Sequence, residues 1–181
     1  MVAVLLVIAG CGGSVIRYVN PDANFTYIKK VAVLPFNNFT TDRFAGEKVR
    51  AVVMVDILSR GVFDVVEQGE VSKILSLVLR ATGAEEGMVS ELDRETLKLL
   101  GERLGVQAVV LGSVDEYEGR RGESIVSVSI RMLDTGSGII LWQAKAMATG
   151  SGFWRKIIGL EGLDANTLTR KAVKTALDTL L

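Results

Sequence analysis

Few side chains of this sequence could do chemistry, because its 181 residues include one cysteine and no histidine. Histidine is the commonest general base and the commonest metal ligand. Without it, neither a Ser–His or Cys–His pair nor a Cys/His zinc site can be built. Carboxylates, lysines, tyrosines and backbone groups remain. We therefore expect a protein that is not an enzyme, with no catalytic residues, no cofactor and no metal.

The one cysteine, Cys11, directly follows an unbroken apolar run over residues 1–10. This run is too short to span a bilayer, which takes about 20 residues, but its length is typical of a secretory signal peptide. Residues 8–11, Ile-Ala-Gly-Cys, look like a bacterial lipobox, whose cysteine receives acyl chains such as palmitate. We predict that residues 1–10 are a signal segment and that Cys11 carries lipid. The alternative is a buried first strand with an ordinary core thiol, and the absence of a basic residue before the run favours it.

The residues after Cys11 indicate where the lipid would hold the protein. Gly12 occupies the position where an aspartate often signals retention in the inner membrane, so we expect the periplasmic face of the outer membrane instead. Residues 11–28 contain Gly12-Gly13 and the turn signal Asn20-Pro21-Asp22, and a weak pattern of this kind predicts a tether. One domain would then occupy residues 29–181.

Polar residues follow the first predicted strand of that domain. Asn37, Asn38 and Thr40 could line a ligand crevice at the carboxyl end of a sheet. The alternative is that they form a turn by bonding to their own backbone.

A second candidate site combines aromatic and basic residues between glycines: Phe153, Trp154, Arg155 and Lys156. Tryptophan beside cations suits a lipid headgroup layer or a protein interface. The alternative is a connector that folds over the end of the sheet. Over the whole chain the 21 basic residues balance the 21 acidic ones, so no net field would attract nucleic acid.

The elements that must position these residues follow from apolar periodicity. Short apolar runs predict strands at 31–34, 62–66 and 106–114, and alternating residues at 126–132 and 140–146 predict a hairpin with one wet face. Helices are predicted over 44–59, from Glu70, from 94 to 104 after an Asp93 cap, and over 165–181, with Asp42 as a cap of the first. The fold class is α/β: a single three-layer-type domain with a mixed sheet of about five strands, about four helices, and the order β-α-β-α-α-β-β-β-α.

Four segments resemble the curli-secretion-channel (CsgG-like) lipoproteins, in the same order along the chain. They are 31–40 (VAVLPFNNFT), 61–70 (GVFDVVEQGE, with Gln68 where arginine is common), 104–114 (LGVQAVVLGSV) and 131–142 (RMLDTGSGIILW). The resemblance implies the fold that is also expected for LpoB-like lipoproteins and for the N-terminal domain of TolB. Fold kinship alone does not select a function.

Channel members of that family carry long membrane hairpins, whose strands need about 9–11 residues each. The links at 118–123 and 148–163 are too short to cross a bilayer twice, so we expect no pore. Our first function hypothesis is an accessory or assembly factor of an envelope machine, in secretion or cell-wall synthesis, acting through protein contacts. The alternative is a periplasmic module that binds a small ligand or glycan. The identity of the partner and the formation of a homo-oligomer stay open.

Overall fold

A mixed sheet with helices on both sides forms the core of the molecule. The computed structural model describes residues 14–83, 92–119, 124–150 and 163–180. Within these ranges the strands are β1 Ser14–Val19, β2 Lys30–Val33, β3 Asn37–Asn38, β4 Asp64–Val65, β5 Ala108–Glu118, β6 Ile125–Asp134 and β7 Ile140–Thr149. The helices are α1 Ala45–Arg60, α2 Gln68–Thr82, α3 Arg94–Leu104 and α4 Ala165–Leu177. The predicted fold class is confirmed, and the five predicted strands correspond to β2, β4, β5, β6 and β7.

The sheet has seven strands in the order β1-β7-β6-β5-β2-β4, and β3 pairs separately with β5. β2 runs parallel to β4 and β5, whereas β5, β6, β7 and β1 form an antiparallel series. The parallel pairs come from the alternating front of the chain. The antiparallel half consists of the predicted meander β5, β6 and β7 together with β1, the first strand of the described chain. None of the helices in the described ranges is both long and apolar enough to span a membrane.

Several helix ends lie where local signals predict them. Gly61 and Gly105 end α1 and α3 with φ of 65° and 63°, a left-handed conformation that glycine adopts without steric cost. Asp93 caps α3 by accepting a hydrogen bond from the amide of Thr96 at 2.7 Å. Asp42 does not cap α1: the helix begins after Phe44, and the Asp42 carboxylate accepts the Phe44 amide at 2.9 Å.

The tether predicted for residues 11–28 is wrong from residue 14 onward. Ser14–Val19 forms β1, which pairs antiparallel with β7 over all six residues. Asn20 continues this pairing through a bond from its amide to the carbonyl of Leu141, and Ile28 is buried. The sequence pattern missed β1 because all six of its residues are exposed. A strand without a buried side has no apolar alternation to reveal it.

The two sides of the sheet are covered to different extents. On one side, α1 and α4 pack over most of its width, against residues such as Val110, Val128 and Trp142. On the other side, α2 and α3 pack on β2, the first half of β5 and the adjoining ends of β6 and β7, where Leu111 and Leu133 lie. The rest of this second side belongs to the antiparallel strands, and it is where the sheet exposes side chains.

Candidate functional site

The exposed part of the second side consists of two rows of paired residues, which we call the open face. The first row joins Ser113, Ser129, Lys145 and Ile16, and the second row joins Arg131, Gln143 and Tyr18. Directly paired residues of antiparallel strands point to the same side of a sheet. Ile16 is 75% exposed and Tyr18 is 50% exposed. The face therefore presents apolar side chains on β1 beside polar ones on β5, β6 and β7.

A carboxylate ties three strands of the open face together. The register of β5 shifts between Val114 and Glu116, and Asp115 lies at this irregularity. Its Oδ1 accepts the hydroxyl of Ser113 at 2.7 Å, and its Oδ2 accepts the hydroxyl of Ser129 at 2.9 Å. The ammonium of Lys145 pairs with the same Oδ2 at 2.9 Å.

These contacts also set the charge of the network. Partial burial by itself raises the pKa of Asp115, but the donors of Lys145, Ser113 and Ser129 outweigh it, so the pKa lies below its usual value. Asp115 is thus a fixed anion at neutral pH. It holds the side chains of Ser113, Ser129 and Lys145 in one arrangement.

A crevice of about 150 Å³ opens beside this network. It lies between the β3 region and the sheet. Its lining consists of Asn37, Phe39, Gly112, Ser113, Ser129, Ile130, Arg131 and Gln143. Phe39 stands at its edge with 70% of its surface exposed. Pockets that enclose small molecules usually measure about 300–1,000 Å³, so this crevice could take a side chain or one small group.

Of the three polar residues predicted to form a ligand crevice, the structure brings one to it. Asn37 lines the crevice. Asn38 and Thr40 instead bond to each other, because Asn38 Oδ1 accepts the amide of Thr40 at 3.0 Å and its hydroxyl at 2.8 Å. The amide of the Asn38 side chain donates to the carbonyl of Asp42 at 2.7 Å. This pair therefore forms the turn that was the alternative interpretation.

The remaining predicted site residues lie outside the described ranges: Cys11, Phe153, Trp154, Arg155 and Lys156. The sequence predicted the open face only as the solvent-exposed side of the hairpin. The alternation of Ser129 and Arg131 with buried residues carries that signal. No local pattern indicates Phe39 at the crevice, since the aromatic side chain stands within a polar loop.

Helix α1 has a second exposed apolar surface, on the side away from the sheet. A helix of nearly uniform apolar composition is usually buried on more than one side, yet Val55 is 66% exposed and Leu58 is 53% exposed. A shallow groove between α1 and α4 passes Val52 and Val55 and is bordered by the cations Arg170 and Lys174. Nothing in the described residues occupies it.

Within the described ranges, no group of three or more His, Cys, Asp or Glu side chains is placed to hold a metal ion. The crevice and the network offer hydrogen-bond donors, acceptors and one exposed ring. This chemistry suits binding.

No protein-family model matches this chain, and no curated protein matches it. Several solved structures do match this chain. A point variant of the PelC dodecamer from Paraburkholderia phytofirmans aligns with a TM-score of 0.60 at 19% identity, over 93% of this chain and 98% of that chain. The lipoprotein GNA1162 from Neisseria meningitidis aligns with a TM-score of 0.52 at 19% identity, over 67% of this chain and 82% of that chain.

The LpoB C-terminal domain from Salmonella enterica aligns with a TM-score of 0.49 at 17% identity, over 66% of this chain and 81% of that chain. A similarity of this size carries no argument about function. The chain thus has the α/β fold of PelC and of the lipoprotein GNA1162, and at these identities the likeness concerns the fold alone. Kinship with the CsgG-like, LpoB-like and TolB-like lipoproteins stays a prediction.

Proposed function

We propose that this protein is a lipoprotein of the bacterial envelope that serves as an accessory or assembly factor, in secretion or cell-wall synthesis, through protein contacts. Lipid on Cys11 would anchor it, with the outer membrane favoured by Gly12, and it would catalyse no reaction. The signal-like segment 1–10 supports the anchor. A fold shared with a solved lipoprotein and with a dodecamer is consistent with a role in an assembly.

The proposal rests mainly on the side chains that the open face exposes. The open face leaves the side chains of Ile16 and Tyr18 half exposed or more, and Phe39 is exposed at the crevice beside it. Apolar side chains grouped on one exposed side of a domain are a feature of interaction sites. The fixed anion Asp115 and the cation Lys145 lie beside this apolar area. Protein interfaces likewise combine apolar contact area with polar and charged groups.

Site-specific photo-crosslinking in intact envelopes tests this role. A photoreactive phenylalanine analogue is placed at Tyr18 on the open face or at Phe39 at the edge of the crevice, and at Leu77 on α2 as a control that is 51% exposed. We expect the same discrete protein adduct from Tyr18 and Phe39, none from Leu77, and loss of the adduct when Lys145→Glu is added. Adducts at Leu77 only, or none at the open face, contradict the proposal.

The anchor is tested separately by the intact mass of the protein extracted from membranes. We expect cleavage before Cys11 and an added mass of acyl chains, with a Cys11→Ala variant released into the soluble fraction. An uncleaved chain with a free thiol contradicts lipid attachment.

Binding of a small ligand or glycan is the second candidate, and the exposed ring of Phe39 beside the amide of Asn37 favours it. The small volume of the crevice places it second. Calorimetry with soluble cell-wall fragments should then give a binding signal that Phe39→Ala removes, whereas the assembly role predicts no signal.

A further inference from the structure

The two edges of the sheet differ in a way that points to a partner strand. At one edge, β4 pairs over only two residues, one of them charged, Asp64. At the other edge, β1 extends over six residues of sequence Ser-Val-Ile-Arg-Tyr-Val with a single charge, Arg17. Monomeric proteins protect sheet edges by keeping them short, charged or covered. β4 follows that rule. Among the residues that the structure describes, no strand pairs with the outer edge of β1.

The hydrogen bonds of β1 show which backbone groups have no strand partner within the described ranges. The amide of Asn20 donates to the carbonyl of Leu141 on β7 at 2.9 Å. Because alternate residues of an antiparallel strand point their N–H and C=O groups to the same neighbour, those of Ser14, Ile16 and Tyr18 also face β7. The groups of Val15, Arg17 and Val19 therefore point away from the sheet.

We propose that a second copy of this chain pairs with the free edge of β1, antiparallel, about a two-fold axis that passes beside Ile16. The two copies of Ile16 then lie opposite each other, Val15 exchanges hydrogen bonds with the partner's Arg17, and Ser14 faces the partner's Tyr18. The side chain of Ile16 is 75% exposed in the single chain, and its own symmetry mate covers it. The open faces of both copies join into one continuous surface.

The chemistry of the strand favours this register over an axis at Arg17, and it favours a second copy as the occupant. An axis at Arg17 would place two guanidinium groups directly opposite, and like charges in that position destabilise a strand pair. The axis at Ile16 pairs two β-branched residues instead, which is favourable on a pleated surface. A strand that is apolar at four of its six positions and nearly uncharged is complementary to itself. An unrelated extended peptide is the other way to fill an edge, and the experiment separates the two.

Proline substitution tests the pairing without disturbing β7. Val15→Pro removes an N–H that points away from the sheet, a position at which an edge strand tolerates proline. We expect the purified full-length chain, with Cys11→Ser, to pass from monomer to dimer as concentration rises in sedimentation equilibrium. Val15→Pro should raise the dimer dissociation constant at least tenfold. Val15→Thr is the matched control and should leave it unchanged.

Cysteine crosslinking tests the register and does not depend on the proline variant. In the Cys11→Ser chain, Ile16→Cys should form an intermolecular disulfide on mild oxidation, because residues facing each other across such a pair have the short Cα separation a disulfide requires. Arg17→Cys should not. Dimers crosslinked at Arg17 but not at Ile16, a larger assembly that Val15→Pro leaves intact, or a monomer at all concentrations overturns the proposal. Both tests use the purified protein, so their outcome is independent of any envelope partner.

Discussion

The guanidinium of Arg50 donates two hydrogen bonds to the carbonyl oxygen of Val33, from Nε at 3.0 Å and from Nη2 at 2.6 Å. Val31, two residues earlier in β2, bonds through its carbonyl to the amide of Val66. The carbonyl of Val33 points to the same side but lies beyond the end of the short strand β4. Arg50, only 4% exposed, supplies the missing donor. Its burial lowers the pKa of the guanidinium, whereas Glu67 and Glu47 raise it.

Replacement of Arg50 by methionine should therefore destabilise the domain although no catalytic or binding role is involved. The carbonyl of Val33 would be left buried without a donor, which costs about 1–3 kcal/mol. Urea unfolding followed by circular dichroism measures the change. Arg80→Met, at an exposed position in the last turn of α2, is the matched control. Equal stability of the two variants would show that water replaces the guanidinium.

Gly112 in the middle of β5 is a position where even one methyl group should not fit. A β-carbon built there would lie 2.1 Å from the carbonyl oxygen of Ser129 and 2.7 Å from the ring of Phe36. Because the first of these atoms belongs to the backbone of β6, relief requires the two strands to move apart. We expect Gly112→Ala to lower the free energy of unfolding by about 1–3 kcal/mol or more.

The control for this substitution is Gly119→Ala, one residue past the end of β5, where the nearest atom to the added carbon is 3.7 Å away. Thermal melting of the two variants side by side gives the comparison. A Gly112→Ala variant with the same melting temperature as Gly119→Ala contradicts the close approach of β5 and β6.

The parts of the fold that were predicted correctly depend on local signals. The helix ends were predictable because their signals lie within one helix turn of the end itself, as at Gly61, Gly105 and Asp93. The strands β2 and β5 were predictable because their apolar runs are buried on both sides of the sheet. β1 was missed because an exposed edge strand carries no alternation. The prediction that Asp42 caps α1 was wrong because its carboxylate has other partners. It accepts the amide of Phe44 in a turn and forms an ion pair with Lys48 at 2.7 Å.

The candidate site was less predictable because its contacts join distant strands. Asp115 meets Lys145 only because the register of β5 shifts after Val114, and nothing in the neighbouring residues announces that shift. Asn37 and Asn38 are adjacent and chemically identical, yet one lines the crevice and the other bonds Thr40. Successive residues of a strand point to opposite sides, so Asn37 and Asn38 differ because both belong to β3. That strand exists only through its pairing with β5, which lies far away in the sequence.

The ion pair between Asp115 and Lys145 should contribute little to stability. Lys145 is about half exposed, and such pairs are worth about 0.2–1 kcal/mol. A double-mutant cycle with Asp115→Asn and Lys145→Met should give a coupling energy in that range that falls as salt is raised. Asp115→Asn alone should cost more than Lys145→Met, because the hydroxyls of Ser113 and Ser129 lose a charged acceptor. A larger loss of stability from Lys145→Met than from Asp115→Asn would contradict the central role of the carboxylate.

The link between Tyr27 and Asp134 should make stability fall in alkali. The Tyr27 hydroxyl donates to Asp134 Oδ2 and so ties the segment before β2 to the turn between β6 and β7. Burial, this hydrogen bond and the negative charge of Asp134 raise the pKa of Tyr27 to about 12. An unfolded tyrosine titrates near pH 10. Since the folded pKa is the higher one, the stabilisation is complete below about pH 10 and is lost as pH rises toward 12.

Urea midpoints measured from pH 8 to pH 12 check this dependence. We expect the midpoint to fall above pH 10 in the native chain, and Tyr27→Phe to flatten that part of the profile. Asp134→Asn should weaken the fall, because it removes the charge that opposes the phenolate. Tyr18→Phe, on the open face, corrects for the general effect of removing a tyrosine hydroxyl. A Tyr27→Phe profile that still follows the native one would place the alkaline loss in another group.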